Sequence, residues 1–228
     1  PRSTPKPSSA ASDVYKRQVD NASAGDTIIV RDGTYVENVN VNKRLTIQSK
    51  NGPANCIVQA ADSKDHVFEV TADYVTISGF TVKGATDPAN VGYGDGIAIH
   101  ANYSNISNNN INSNEWHGIC LYSSSNNIIS NNYILNNEQG INLDGSSNNI
   151  IRNNNINLNN WGGIDLWSSC NNILTDNIIL NNNGEGIFLI YSNNNSLPYN
   201  TVNSNGHHAN IYLYRSSNNR LIYNTANM

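Results

Sequence analysis

One phrase recurs along this chain and limits what it can fold into. GICLYSSSNNIISNNYILNN is followed by GINLDGSSNNIIRNNNINLNN, then by GIDLWSSCNNILTDNIILNNN. Gly96, Gly118, Gly140, Gly163 and Gly186 open successive copies, and Asn210 takes the place of Gly in the last. The spacings are 22, 22, 23, 23 and 24 residues. A fixed period of this size describes a solenoid, in which each copy packs on its two neighbours.

Each copy holds two apolar pieces. The first is Gly-Ile-x-Leu, as in Ile141/Leu143 and Ile164/Leu166; the second is Ile-x-x-Asn-x-Ile, as in Ile129/Asn132/Ile134. Short β-branched runs that alternate with period two are strands. The stretches between them are a handful of Asn, Ser and Gly, too short for a helix. Asn makes up 46 of the 228 residues, and its side chain competes for nearby backbone groups, which argues against helices. A leucine-rich repeat needs a helical return path, and the left-handed hexapeptide coil has shorter rungs. The pattern therefore predicts an all-β fold, a single-stranded right-handed parallel β-helix with coils of 22–24 residues.

The inward columns follow. One is Ile106, Ile129, Ile151, Leu174, Leu197 and Leu221, and a second is Ile111, Ile134, Ile156, Ile179 and Val202. The Gly-Ile-x-Leu strand supplies two more, starting at Ile97 and Ile99. Two Asn columns run beside them, Asn109–Asn132–Asn154–Asn177–Asn200–Asn224 and Asn114–Asn137–Asn159–Asn182–Asn205. They are expected to form stacked amide ladders at bends, with Asn supplying the left-handed backbone. Asn abundance is thus architecture, not a site. Residues 19–95 read as longer, less regular coils and 96–228 as regular ones, one continuous domain. An insertion is expected at 85–94 and the stump of a cap at 19–24. The chain stops in mid-coil, so further coils or a neighbouring domain are expected to stack there.

The formal net charge is −4 with no Lys/Arg cluster, which argues against nucleic acid as a partner. No apolar run approaches the length of a membrane span. Residues 1–18 lack periodicity, and SSAASDVYKRQ within them is similar to a translated transposase sequencing adapter. They are read as a non-native segment, and the rest as a fragment of a longer gene.

The run GDTIIVRDGTY at 25–35, then KRLTI at 43–47, then the Asn/Ile coils, resembles parallel β-helix repeat proteins. The nearest group is similar to the one named for NosD, a periplasmic maturation protein of the nitrous-oxide reductase system. The same repeats occur in archaeal surface-layer-type proteins and in carbohydrate-binding proteins and sugar hydrolases. The resemblance implies an extracellular, cell-surface or periplasmic location and a polysaccharide or cell-surface glycan as partner. It implies no cofactor, and the copper label of the NosD group finds no motif with ligand spacing here.

Candidate site residues come from register. With Ile and Leu of Gly-Ile-x-Leu pointing inward, the intervening residue and the one after Leu point out. One outward column is Ala98, Cys120, Asn142, Asp165, Phe188 and Tyr212; the other is His100, Tyr122, Asp144, Trp167, Ile190 and Tyr214. Trp116, Glu138, Trp161 and Glu185 lie just before the Gly positions. Aromatic rings stack on the apolar face of a sugar while carboxylates and amides bond its hydroxyls. Trp116, Tyr122, Trp161, Asp165, Trp167, Phe188, Tyr212 and Tyr214 are therefore assigned to glycan binding. Asp144 and Asp165 sit on adjacent coils two positions apart, about 8 Å, a separation that suits an inverting glycosidase. They lack an evident basic partner, since Arg152 lies on another face, and no catalytic set is assigned. His207-His208 would point opposite ways on a strand, and no metal site is assigned. The reading is a non-catalytic glycan-binding or structural module. The alternatives are a polysaccharide hydrolase or lyase working on the same face, and a NosD-like metal-maturation protein.

Overall fold

The computed structural model describes residues 14–86, 94–206 and 209–227. Residues 1–13, 87–93 of the expected insertion, and the His207-His208 pair lie outside the described residues. Within them the chain winds as a right-handed parallel β-solenoid, each coil giving one short strand to each of three sheets. The first sheet has nine strands, from Thr27–Val30 to Arg220–Ile222. The second has eight, from Gly33–Val36 to Thr201–Asn203, and the third has eight, from Val39–Val41 to Ile211–Tyr214.

Register follows the repeat. Ile106 pairs with Ile129, Ile134 with Ile156 and Ile141 with Ile164, all in parallel. The expected columns are fully buried until the last coil, where Leu221 is 39% exposed and Ile211 and Leu213 are half-buried. Each enclosed aliphatic contributes roughly 1.5–3 kcal/mol before entropy. The irregular coils keep the same register: Ile77 pairs with Ile106, Val82 with Ile111 and Phe68 with Ile97. One more coil precedes Leu45/Ile47, with Ile28 paired to Ile47.

Both Asn ladders form. Asn132 is typical: its backbone N–H and its Nδ2 both donate to Asn154 Oδ1, at 3.0 and 3.1 Å, and its Nδ2 also donates to the Ile106 carbonyl at 2.9 Å. The sequence reading erred on backbone conformation. The left-handed residue is the one before each ladder Asn, such as Asn131, Asn153 and Asp176, with φ of 56°, 55° and 57°. The ladder Asn faces inward, where its amide replaces the bonds that the turned backbone cannot make to itself. A third Asn ladder, Asn127–Asn149–Asn172–Asn195–Asn219, was not anticipated. A Ser ladder, Ser124–Ser146–Ser169–Ser192–Ser216, closes the remaining corner.

The repeated Gly marks the corner into the third sheet. A Cβ at Gly140 would lie 2.4 Å from the Gly163 carbonyl oxygen and 2.5 Å from Ile156 Cγ2. Only a hydrogen fits. In the last coil Asn210 fills this place and accepts Asn205 Nδ2, ending the second ladder.

At the other end a helix, Val14–Asn21, covers the open core with Val19, which is 1% exposed. Lys43 Nζ donates to the carbonyls of Val19, Asp20 and Ala22 and so caps its C-terminus. The cap expected at 19–24 thus begins earlier, and the helix runs through the junction drawn after residue 18.

Candidate functional site

The outer face of the third sheet carries a groove of about 1230 Å³. Its floor is one outward column, in which Asn142, Asp165, Phe188 and Tyr212 pair on successive coils. Tyr122, Asp144 and Trp167, also paired in register, form one wall. The turns leading into the strands form the other, with Trp116, Glu138, Trp161 and Glu185. Period-two alternation therefore builds the floor and one wall, and the 22–24-residue period stacks the turns into the second.

Seven of the eight assigned residues line this groove: Trp116, Tyr122, Trp161, Asp165, Trp167, Phe188 and Tyr212. Trp161 and Trp167 are 56% and 47% exposed, and Phe188 stacks on Tyr212 with ring centroids 5.1 Å apart. Tyr214 does not join them. It turns to Tyr191 and lies under the Arg215 guanidinium at 5.3 Å, away from the groove. Four residues of the outward columns are also not surface residues: Ile190 and Asn142 are 6% and 9% exposed, and Ala98 and Cys120 are fully buried. The groove ends there, where Asp95, His66 and His117 are buried side by side.

This end is a polar cluster. Asp95, 1% exposed, accepts His117 Nδ1 at 2.7 Å and the Tyr122 hydroxyl at 2.9 Å, and His66 Nδ1 lies 3.4 Å away. Burial alone would push the Asp95 carboxyl up, but the His117 charge and hydrogen bond hold it below the usual range. Burial likewise opposes charging of His117, and the Asp95 carboxylate overrides it, raising His117 well above an ordinary imidazole. The result is a buried ion pair. Tyr122 is pushed up by burial and by the Asp95 charge, so it stays a neutral donor.

Asp95, His117 and Cys120 bring one potential metal-ligand atom each within 4.8 Å of one another. The sequence reading saw no such grouping because Asp95 sits one coil before the strand His117–Tyr122 that carries the other two. Asp95 already accepts three hydrogen bonds, from His117 Nδ1, the His117 backbone N–H and the Tyr122 hydroxyl. The cluster is closed upon itself as it stands. His66 and Asp95 were also missed, although both occupy the column that continues through His117 and Gln139; extending the register across the insertion would have found them.

Asp165 differs from the other carboxylates. Burial pushes it up to about 7; the nearby Gln139 side chain opposes this, Glu185 adds to it, and His117 opposes it in turn. Its side chain fits because residue 162 is glycine, where a Cβ would lie 2.8 Å from Asp165 Oδ1. Four buried polar atoms of groove residues reach no hydrogen-bond partner: Trp116 Nε1, Gln139 Nε2, Asn142 Oδ1 and Asp165 Oδ1. Gln139 is the polar side chain that most opposes the rise at Asp165. Unmade hydrogen bonds cost about 1–3 kcal/mol each, so their gathering in one groove points to a polar ligand that completes them.

No helix among the described residues is long and apolar enough to cross a membrane. No curated protein matches the sequence. Among solved structures the chain is similar to the A-module of mannuronan C-5 epimerase AlgE6 from Azotobacter vinelandii, at a TM-score of 0.72 and 13% identity, over 92% of this chain and 69% of that one. It is similar to pectate lyase Pel9A at a TM-score of 0.65 and 13% identity, over 91% and 71%. It is also similar to an alginate lyase from Paenibacillus sp., at a TM-score of 0.55 and 18% identity, over 92% and 96%. At these identities the likeness is one of fold. Residues 19–226 match the family described as the right handed beta helix region, and the chain belongs to that family.

Proposed function

We propose that this protein is a polysaccharide-binding module whose ligand lies in the groove of the third sheet, with no catalysis of its own. The observation that carries this reading is the pairing of exposed aromatic faces with unmet polar atoms along one groove. Trp161 and Trp167 offer stacking surfaces, and Asn142 and Asp165 offer acceptors between them. The groove crosses successive coils, which suits a chain of sugars better than a single one. Fold relatives named as an alginate lyase and a pectate lyase support a glycan as the partner. The same reading places the protein where polymeric glycans are met: outside the cell, on its surface or in a periplasm. A glycan microarray followed by titration of tryptophan fluorescence tests it. A saturable response to an oligosaccharide is expected, and silence across a broad panel would overturn the reading.

A second reading, hydrolysis or lysis on the same face, is favoured by Asp165, which holds its proton near neutrality while Asp144 lies exposed on the adjacent coil. Asp165 would then be the acid and Asp144 the base. Release of reducing ends that is lost in Asp165→Asn would support this reading, and no release from any bound polymer would remove it.

A further inference from the structure

We infer that the groove selects a glycan without carboxylates, and specifically a hexosamine polymer carrying free amino groups. The inference rests on the proposed glycan-binding function and narrows it. Its fold relatives are named for alginate, mannuronan and pectate, so the expectation by likeness would be an acidic polymer.

Charge argues the other way. Glu138, Asp144, Asp165 and Glu185 all line the groove, and among the described residues no Lys or Arg does. Among the described residues His117 is the one cationic group there, and Asp95 already meets its charge at 2.7 Å. A uronate entering this groove would bring its carboxylates among those of Glu138, Asp144 and Glu185, with no cation among the described residues to receive them.

The unmet atoms point to the same ligand. Asn142 is 9% exposed, and its Oδ1 accepts nothing while its Nδ2 donates to Cys120 Sγ at 3.4 Å. Asp165 Oδ1 is a second empty acceptor. The unmet donors are only two, the neutral Trp116 Nε1 and Gln139 Nε2. The unmet acceptors and donors are two each, so the excess of acceptors comes from the carboxylates of Glu138, Asp144 and Glu185. A carboxylate ligand supplies acceptors only, whereas an ammonium supplies three donors and a charge that carboxylates and indole faces both attract. Trp161 lies between Glu138 and Glu185 in the stacked turns, a place where an amino sugar can stack and pair at once.

The test is calorimetric titration of the full chain with oligomers of equal length, under mildly acidic conditions. The probes are glucosamine oligomers, their N-acetylated forms, neutral glucose oligomers, and oligogalacturonate with and without calcium. The inference expects the free-amine oligomer to bind about tenfold tighter than either neutral oligomer, the order of one or two half-buried charge-assisted hydrogen bonds. This margin should shrink in high salt, and oligogalacturonate should give no binding in either condition. The pair of substitutions Glu138→Gln and Glu185→Gln should bring amine and N-acetyl affinities toward parity. A neutral oligomer binding as tightly as the amine, or oligogalacturonate binding with or without calcium, would overturn the inference and leave the glycan-binding reading standing. Binding of no oligomer at all would overturn that reading, and the inference with it.

Discussion

Replacing Asn154 with Leu should destabilise the protein even though it places a more apolar side chain in a buried position. Asn154 Oδ1 accepts both the backbone N–H and the Nδ2 of Asn132, at 3.0 and 3.1 Å, and its own Nδ2 donates to the Ile129 carbonyl at 3.0 Å. Leucine ends all three bonds and a fourth, from Asn154 Nδ2 to Asn177 Oδ1 at 3.0 Å. Asn132 Nδ2 keeps the Ile106 carbonyl, but the Asn132 backbone N–H loses its ladder acceptor and the Ile129 carbonyl loses its ladder donor. Both lie where water does not reach: Asn132 is 1% exposed and Ile129 fully buried. At about 1–3 kcal/mol for each stranded group, less some gain from added apolar burial, the expected loss is about 2–4 kcal/mol. Urea unfolding followed by far-ultraviolet circular dichroism reads this as a lower midpoint. An unchanged midpoint would refute the reasoning, because the ladder would then contribute no more than an aliphatic column.

Three further outcomes follow from the structure. Gly140→Ala should cost about 1–3 kcal/mol of stability in the same assay, because its Cβ would meet the Gly163 carbonyl and Ile156 inside a closed corner. Asp95→Asn should cost about 3 kcal/mol near neutrality by leaving His117 buried without its counter-charge. Asp95 is held low, so its contribution is lost as pH falls through its folded value; His117 is held high, so its contribution is lost as pH rises through its own. Thermal melts across pH should therefore show the mutant's deficit only between those two limits. Asp165 is the opposite case: its folded value is raised to about 7, so ionisation penalises the fold above the ordinary carboxylate range. Asp165→Asn should raise the melting temperature above pH 7 and give progressively less benefit as pH falls toward 4, and a benefit independent of pH would contradict the assignment.

The sequence stated its fold plainly because the solenoid repeats one set of demands in every coil. Ile at 106, 129 and 151 must be enclosed, Gly at 118, 140 and 163 must leave room for a carbonyl, and each demand shows as a column. The third Asn ladder escaped notice because its residues, Asn127 and Asn149, lie in the Ser/Asn turn, where polar residues are expected anyway. The groove floor was legible from alternation alone. Its end at Asp95 was not, because the insertion before Gly96 breaks the register and hides that His66, Asp95 and His117 share a face. Tyr214 was assigned to the groove from its column; Arg215 and Tyr191 on the last coils hold its ring elsewhere. The unmet donors and acceptors leave no trace in a sequence, since they are defined by what the fold fails to provide.

The central claim is that a glycan binds in the groove of the third sheet, and a pair of aromatic substitutions tests it most directly. Trp167 is 47% exposed in the groove wall and Tyr214 is 41% exposed outside it, in the same outward column. Neither removes an atom from the core. Calorimetric titration with the best oligosaccharide should show binding lost in Trp167→Ala and kept in Tyr214→Ala, with both variants melting as the parent does. Equal affinity of Trp167→Ala and the parent, or loss of binding in Tyr214→Ala alone, would contradict the account.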